Sequence, residues 1–253
     1  MNASEPQAAP PIYDNSFYRR YVVRPLAKRI APKLHGLGIS GNGVCWLKLL
    51  AGLIGAGLLA STSGVVAFTG MLFMQINFLL DAADGEVARL RGEAGRLSGE
   101  YFDKLTDHLP KSAMYFMWGL GTMRLTGDLL PLFCGAFFAA WNIYPRFCAV
   151  ETLLERLDKA PSIYDSGKFH RAVANSFSIN EKRGKTDLIL TMFVHPAMNL
   201  LTIFFLIEIF KPLITFGADT YETRYVLLAA YTLVGLWNFV RKGMRFFKVL
   251  NFS

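Results

Sequence analysis

Six long runs of apolar residues, separated by polar segments, dominate this sequence. They cover residues 43–61, 64–90, 99–123, 129–154, 188–210 and 225–240. The second run turns polar after residue 80, and the third becomes apolar only from residue 109. Because a helix of about 20 residues crosses the hydrocarbon core of a bilayer, the pattern predicts an all-α membrane protein with six transmembrane helices.

The segment before the first run, residues 18–34, mixes Arg and Lys with Tyr, Val, Leu and Ile. Such a helix can lie in the membrane interface, with apolar side chains in the bilayer and basic ones near anionic headgroups. The alternative is a basic flank that serves only to orient the first span. We expect a tail and an N-terminal interfacial amphipathic helix over residues 1–36 and a membrane domain over residues 37–253.

The distribution of Lys and Arg predicts the orientation in the membrane, because these residues are enriched in cytoplasmic loops. With the N-terminus in the cytoplasm, 20 of them fall in cytoplasmic segments and three fall outside, namely Arg124, Lys211 and Arg224. We therefore expect a multi-pass membrane protein, in the inner (plasma) membrane of the cell if the protein is bacterial. Both termini should be cytoplasmic.

The composition agrees with a membrane location. The chain is 53% hydrophobic and 18% charged, whereas soluble domains carry about 25% charged residues. Its net charge of +8 would suit nucleic acid, but the basic residues flank the apolar runs and form no basic module interleaved with aromatic residues. We therefore expect the lipid bilayer, and no nucleic acid, as a partner.

Aspartates interrupt the second and third runs at helical spacing. Asp81 and Asp84 share one helical face, and Asp103 and Asp107 share another. Two antiparallel helices joined by a turn near residue 94 would place the inner pair, Asp84 and Asp103, at one level. The outer pair, Asp81 and Asp107, would share a second level. We expect all four carboxylates to converge in the cytoplasmic half of the bundle.

A cluster of four carboxylates requires nearby cations, because like charges repel and ionisable groups inside a membrane are costly. Arg89 and Lys104 are too few to balance it. Oxygen ligands of this kind suit Mg²⁺ or Mn²⁺, and two such ions would suit displacement at phosphorus. The alternative is a solvated acidic loop, which does not explain why both arms place acids on one face at matched depth.

The aspartates belong to a longer pattern, in which two Asp, a Gly, an Ala and an Arg are followed by a spacer, a Gly and two more Asp. This pattern resembles the signature of the CDP-alcohol phosphotransferase (CDP-alcohol phosphatidyltransferase) family at Asp81, Asp84, Gly85, Ala88, Arg89, Gly99, Asp103 and Asp107. The spacer is one residue longer than in the commonest form. His108 follows the last Asp, where several members carry Lys or Arg.

The resemblance implies a transferase that moves a substituted phosphoryl group from a CDP-linked alcohol, CDP-diacylglycerol or similar, to an acceptor hydroxyl. CMP is released, and the reaction belongs to phospholipid biosynthesis. Asp81, Asp84 and Asp103 would hold one metal ion, and Asp81, Asp103 and Asp107 a second. Asp107 would also accept the proton of the acceptor as a general base. A homodimer is expected from the same resemblance.

The resemblance also implies residues that bind the substrates. Gly85 and Ala88 would leave room for the cytidine nucleotide, and Arg89 would pair with a phosphate or with a carboxylate of the cluster. Asn42 lies in the run 39–44, which resembles the segment that opens the first span in relatives.

Lys111 and Arg146 also lie within apolar runs. Lys111 continues the helical face of the third-run aspartates, so we expect it to contact the acceptor or a phosphate, or else to neutralise the cluster. Arg146 lies in the fourth run, where an unpaired cation is costly. We expect it to bind an anionic acceptor or to pair with the aspartates, or else to extend to the interface.

Two other functions use acidic residues inside a membrane. An intramembrane prenyltransferase of the UbiA kind also binds a diphosphate through Asp-rich motifs, but these usually lie on widely separated helices of a longer chain. A divalent-cation transporter would not require the Asp-Gly-x2-Ala-Arg pattern, and the sequence gives no sign of inverted repeats. The placement of both acidic motifs in one hairpin favours the transferase.

Overall fold

The chain is mostly helical in the computed structural model, which describes residues 18–92, 97–140, 197–216 and 219–250. A short π-helix, Arg19–Val23, leads directly into the first α-helix. The α-helices are α1 (Arg24–Gly36), α2 (Gly41–Leu59), α3 (Gly64–Leu90), α4 (Leu97–Thr126), α5 (Leu130–Ala140), α6 (Ala197–Phe210) and α7 (Thr223–Leu250).

The N-terminal helical segment packs one face of small residues against α3. Val23, Ala27 and Ala31 are buried at helical spacing, and the opposite face combines exposed basic residues with exposed Tyr21. At the start of the segment, the hydroxyl of Tyr18 donates to the side chain of a glutamine on α3 at 3.0 Å. Burial raises the pKa of this hydroxyl. The segment predicted to be helical is thus a helix, and its place at a membrane surface stays a prediction.

Helices α2 and α3 are the two in the described residues that are long and apolar enough to cross a membrane. Their bounds agree with the first two predicted runs. They pack closely through two glycines: a β-carbon on Gly55 would lie 2.7 Å from the carbonyl oxygen of Gly70, and one on Gly70 would lie 2.6 Å from that of Gly55. Small residues allow membrane helices to approach in this way.

The remaining helices agree with the later runs as far as the structure describes them. Helix α4 covers the third run, and α5, α6 and α7 cover described parts of the fourth, fifth and sixth. Residues 141–196, which include Arg146, lie outside the described part. The number of six spans therefore stays a prediction.

A cluster of buried aromatic side chains joins α4, α5, α6 and α7. The ring of Trp118 lies 5.6 Å from the rings of both Phe205 and Tyr231. The ring of Phe138 lies 6.4 Å from that of Tyr231. Aromatic pairs at such separations contribute stability beyond the area they bury. The cluster is therefore the core that holds these four helices together.

A small antiparallel sheet lies between α6 and α7. Its strands are β1 (Leu213–Phe216) and β2 (Asp219–Glu222), with Leu213 opposite Glu222. The all-α prediction did not include this hairpin. Ile, Thr, Phe and Tyr in the two strands have high strand propensity, but segments of four residues give little signal beside long apolar helices.

A buried ion pair lies beside this hairpin. Arg224, at the start of α7, is fully buried, and its Nη2 lies 2.6 Å from Oε1 of Glu208 on α6. Its Nη1 donates to the main-chain oxygen of Ser61, after α2, at 2.5 Å. From the sequence, Arg224 was expected among the cations of the outer loops. In the structure it links α7 to α6 and to the segment after α2. A buried guanidinium requires acceptors around it, and these two segments provide them.

Candidate active site

Three of the predicted aspartates meet at one buried lysine. Nζ of Lys48 on α2 donates to Asp81 Oδ1 at 3.0 Å, to Asp84 Oδ2 at 3.1 Å and to Asp103 Oδ1 at 2.5 Å. Asp81 and Asp84 share one face of α3, and Asp103 comes from α4. The side chain of Lys48 has no exposed surface, so three carboxylates share a single ammonium inside the bundle.

The backbone around Lys48 is held by a buried amide. Asn77 on α3 donates from Nδ2 to the main-chain oxygen of Lys48 at 2.8 Å. Gly52, one turn further along α2, makes room for this contact. A β-carbon there would lie 2.8 Å from Nδ2 of Asn77 and 2.5 Å from Cβ of Pro110 on α4. Helices α2, α3 and α4 therefore meet within one turn of the lysine.

The second oxygens of the two α3 carboxylates are also occupied. Oδ2 of Asp81 lies 3.5 Å from a guanidinium nitrogen of Arg19, in the N-terminal segment. Oδ1 of Asp84 accepts a hydrogen bond from the main-chain nitrogen of Gly85 at 2.6 Å. The thiol of Cys45 on α2 lies 3.5 Å from Oδ2 of Asp84. Both aspartates are thus fixed in orientation, whereas the side chain of Asp103 is 48% exposed.

Asp107 lies one turn beyond Asp103 on α4, in an ion pair with Lys111. The two side chains are four residues apart, a spacing at which they face each other along a helix. Asp107 therefore has its own cation, separate from Lys48. The structure brings together Asp81, Asp84 and Asp103 at one point and places the fourth aspartate beside Lys111.

Gly85 lies in open surroundings. A β-carbon there would meet only the guanidinium of Arg89, at 3.7 and 3.9 Å. Ala88 has a packing partner, since a β-carbon on Gly41 would lie 3.1 Å from that of Ala88. Among the described residues, protein packing accounts for the small side chain at Ala88 but not for the glycine at position 85.

Two of the polar residues expected to contact substrate, Arg89 and Asn42, are exposed. Arg89 points to solvent and pairs with Glu86, one turn before it, at 2.9 Å. Asn42 lies exposed in the first turn of α2, next to Ser40, which caps the helix by accepting from the main-chain nitrogen of Gly43 at 3.1 Å. Arg146, the remaining candidate, lies outside the described residues.

Lys48 was not identified from the sequence, although a usable signal was present. A single cation inside an apolar run is costly unless it is paired, and Lys48 is such a cation in the first run, as Arg146 is in the fourth. Arg19 and Cys45 gave no comparable signal, because their closeness to the aspartates depends on how separate helices pack.

The donor set fits a hard divalent cation. Carboxylate oxygens are the ligands that Mg²⁺ and Mn²⁺ prefer in proteins. Three carboxylates from two helices already surround one positive charge. Ligand atoms of Cys45, Asp84 and Asp103 lie within 4.8 Å of one another; of these, the two carboxylates suit a hard ion, whereas the thiol is a softer ligand. The residues present are therefore suited to a divalent metal ion.

Comparison with known proteins identifies the family. The family model for CDP-alcohol phosphatidyltransferases matches residues 42–237, which is most of the chain. The matched range contains the four aspartates and Lys48. No curated protein matches the chain. This family transfers a phosphoryl-alcohol group from a CDP-alcohol and uses divalent metal ions. With two helices able to cross a membrane and an acid cluster between them and α4, the chain belongs to the CDP-alcohol phosphatidyltransferase family of membrane transferases.

Proposed function

We propose that this protein moves a substituted phosphoryl group from a CDP-alcohol, CDP-diacylglycerol or similar, to an acceptor hydroxyl in phospholipid biosynthesis. The observation that carries the proposal is the convergence of Asp81, Asp84 and Asp103 on one buried cation. This cluster lies within the range matched by the family.

The four aspartates are the proposed metal ligands. Asp81, Asp84 and Asp103 would hold one Mg²⁺ or Mn²⁺ ion, and Asp81, Asp103 and Asp107 would hold a second. Bound ions of this kind neutralise the charge of a diphosphate and orient it. The proposal is supported by the meeting of three of these carboxylates and by the position of Asp107, one turn beyond Asp103 on α4.

Asp107 is the proposed general base. The acceptor oxygen forms a bond to the phosphorus that carries the alcohol, and the bond from that phosphorus to the bridging oxygen breaks. The electron pair leaves with CMP, and the hydroxyl proton passes to the carboxylate of Asp107. The ion pair with Lys111 supports this role, because it holds the carboxylate of Asp107 in a fixed direction.

The nucleotide is proposed to lie along α3 at Gly85 and Ala88, where the open space at Gly85 would admit it. Arg89 is exposed and pairs with the neighbouring Glu86, a partner that it can exchange for a phosphate of the donor. Asn42, at the start of α2, is proposed to border the same space.

Acceptor binding is assigned to two cations. Lys111 is within reach of the proposed base Asp107, so an acceptor held by Lys111 would have its hydroxyl near the carboxylate. Arg146 is proposed as a second anionic contact on the basis of its place in an apolar run.

The proposed architecture is a homodimer of six-span subunits, each with residues 1–36 at the cytoplasmic surface and a membrane domain over residues 37–253. Both termini and the active site face the cytoplasm. The basic and apolar residues on the exposed face of α1 support an interfacial position. The contact of Arg19 with Asp81 places this segment directly beside the acid cluster.

The proposed activity is tested by CMP release. Purified protein with CDP-diacylglycerol or CDP-choline and a panel of alcohol acceptors should form CMP only when Mg²⁺ or Mn²⁺ is present. Asp107→Asn should lower the rate by about 100-fold or more, the usual scale for losing a general base. Replacing the exposed Lys104 by Met is the matched control and should leave the rate close to that of the wild type. CMP formation that persisted in EDTA, or that survived Asp107→Asn, would contradict the proposal.

A further inference from the structure

The ammonium of Lys48 takes up one oxygen from each of the three carboxylates, Asp81, Asp84 and Asp103, that would hold a metal ion. The three carboxylate oxygens that accept from Nζ are 2.5, 3.0 and 3.1 Å away, one from each side chain. Mg²⁺ binds oxygen at about 2.0–2.1 Å. An ion that bound the same three oxygens would compete with the ammonium, because each of these oxygens already accepts a hydrogen bond from Nζ and two cations at such close range repel each other.

The remaining oxygens of the two α3 carboxylates offer no easy alternative for an ion. Oδ2 of Asp81 faces the guanidinium of Arg19, and Oδ1 of Asp84 accepts from the main-chain nitrogen of Gly85. An ion that used these oxygens would have to break those contacts as well. Displacement of Lys48 is the simpler route, because a lysine stem has four rotatable bonds and can swing its charge away.

We propose that Lys48 is a built-in counterion that fills the carboxylate site in the metal-free protein and is exchanged for the divalent ion when that ion binds. Lys48 is thus a positioning residue: it keeps three acids from two helices assembled before the metal arrives. The proposal rests on the function proposed above, since it takes the same aspartates as metal ligands. The half-exposed side chain of Asp103 provides the side from which an ion reaches the cluster.

This exchange has a consequence that an ordinary structural lysine would not have. Removing the charge of Lys48 takes away the competitor, so metal binding becomes tighter. The same change leaves three carboxylates without a shared cation, so the metal-free protein becomes less stable. A lysine that only supported the fold would show the second effect together with weaker metal binding.

The experiment measures Mn²⁺ binding to the purified full-length protein by the electron paramagnetic resonance signal of free Mn²⁺. Thermal unfolding is measured in parallel, in EDTA and in excess Mn²⁺. Lys48→Met and Lys48→Gln remove the charge with little change in length, and Lys104→Met removes an exposed charge beside the cluster as the matched control. Asp84→Asn reports whether the observed ion is held by the cluster.

We expect the half-saturating Mn²⁺ concentration to fall by about tenfold in Lys48→Met and Lys48→Gln, a usual size for coupling between two bound groups. Both variants should unfold at a lower temperature than wild type in EDTA and recover in Mn²⁺. Lys104→Met should match wild type in both measurements. A variant that folds only with Mn²⁺ present also supports the exchange.

Other outcomes would contradict the inference, and they distinguish a wrong metal site from a wrong exchange. If wild type binds Mn²⁺ with an affinity that Asp84→Asn does not change, the metal site is wrong, and the proposed function fails with it. If wild type binds Mn²⁺ at the cluster but both Lys48 variants bind it equally or more weakly, only the exchange is wrong. The exchange is also wrong if neither variant folds even in excess Mn²⁺, since Lys48 would then be needed alongside the metal.

Discussion

At the scale of single residues, Lys48 and Arg224 are fully buried cations, and each is surrounded by acceptors from other segments of the chain. Taking an ion out of water costs several kcal/mol even after the protein relaxes. Three carboxylates offset this cost for Lys48, and Glu208 and a main-chain oxygen offset it for Arg224. Both cations therefore tie together segments that are distant in the sequence.

Breaking the Arg224 pair should destabilise the protein strongly. Arg224→Met leaves the buried carboxylate of Glu208 without its counterion, a change that typically costs about 3–5 kcal/mol. We expect a large drop in the thermal unfolding temperature in detergent, and partial recovery in the double variant Arg224→Met/Glu208→Gln. Arg124→Met, which removes an exposed cation, should change stability by less than about 0.5 kcal/mol. A double variant no more stable than Arg224→Met would show that the pair is not coupled.

At the scale of helices, glycines set how closely α2 approaches its neighbours. Gly52 and Gly55 allow contacts that a β-carbon would block, whereas a β-carbon on Gly57 would meet no atom within 4 Å. Helix α2 thus has two glycines at positions where a larger side chain would clash with a neighbouring helix, and one at a position where a larger side chain would fit. Those two glycines lie on the side that faces α3 and α4, where the acid cluster forms.

This difference predicts opposite outcomes for two matched substitutions in α2. Gly52→Ala should destabilise the protein by about 1–3 kcal/mol, the usual cost of overpacking, and should lower CMP release because it pushes Asn77 away from the backbone of Lys48. Gly57→Ala should be neutral or stabilising by up to about 1 kcal/mol, since Ala favours helices over Gly. Unfolding temperature and CMP release measure both effects. Equal losses in the two variants would contradict the packing geometry.

At the scale of the whole molecule, the acid cluster and the Glu208–Arg224 pair lie at opposite ends of α3. A β-carbon on Gly64, the first residue of α3, would lie 3.8 Å from Oε1 of Glu208, and Asp84 lies near the other end of the helix. The roughly 20 residues between Gly64 and Asp84 span about 30 Å, close to the thickness of the hydrocarbon core. The hairpin and the acid cluster are therefore expected near opposite membrane surfaces.

Labelling from one side of the membrane tests this arrangement. In a variant with its native cysteines replaced, we expect a membrane-impermeant maleimide added outside intact cells to react with Thr220→Cys in the hairpin. It should react with Lys33→Cys in α1 only after the cells are opened. Both positions are exposed on the protein surface, so access to the membrane side decides the result. Reaction of both cysteines from the same side would rule out an odd number of spans between them.

Much of the local structure was predictable from the sequence. The first two spans were placed within two residues of α2 and α3, and the turn between the acidic arms agrees with the end of α3 at Leu90 and the start of α4 at Leu97. Helical periodicity and apolar length are local properties, so they can be recognised without knowing the fold. The family signature is also a local feature of the sequence, and the family that it suggested is the one to which the chain belongs.

The sequence by itself therefore determined the helices, the acidic faces and the class of chemistry. Only the tertiary structure decided that Lys48, 33 residues before Asp81, occupies the centre of the cluster, and that Arg224 is buried against Glu208. These pairings depend on which faces of separate helices meet. The periodicity within one helix does not show which neighbouring helix its faces will contact. Once the helices pack, a buried charge is costly unless it is paired, so each buried cation requires acceptors from the segments around it.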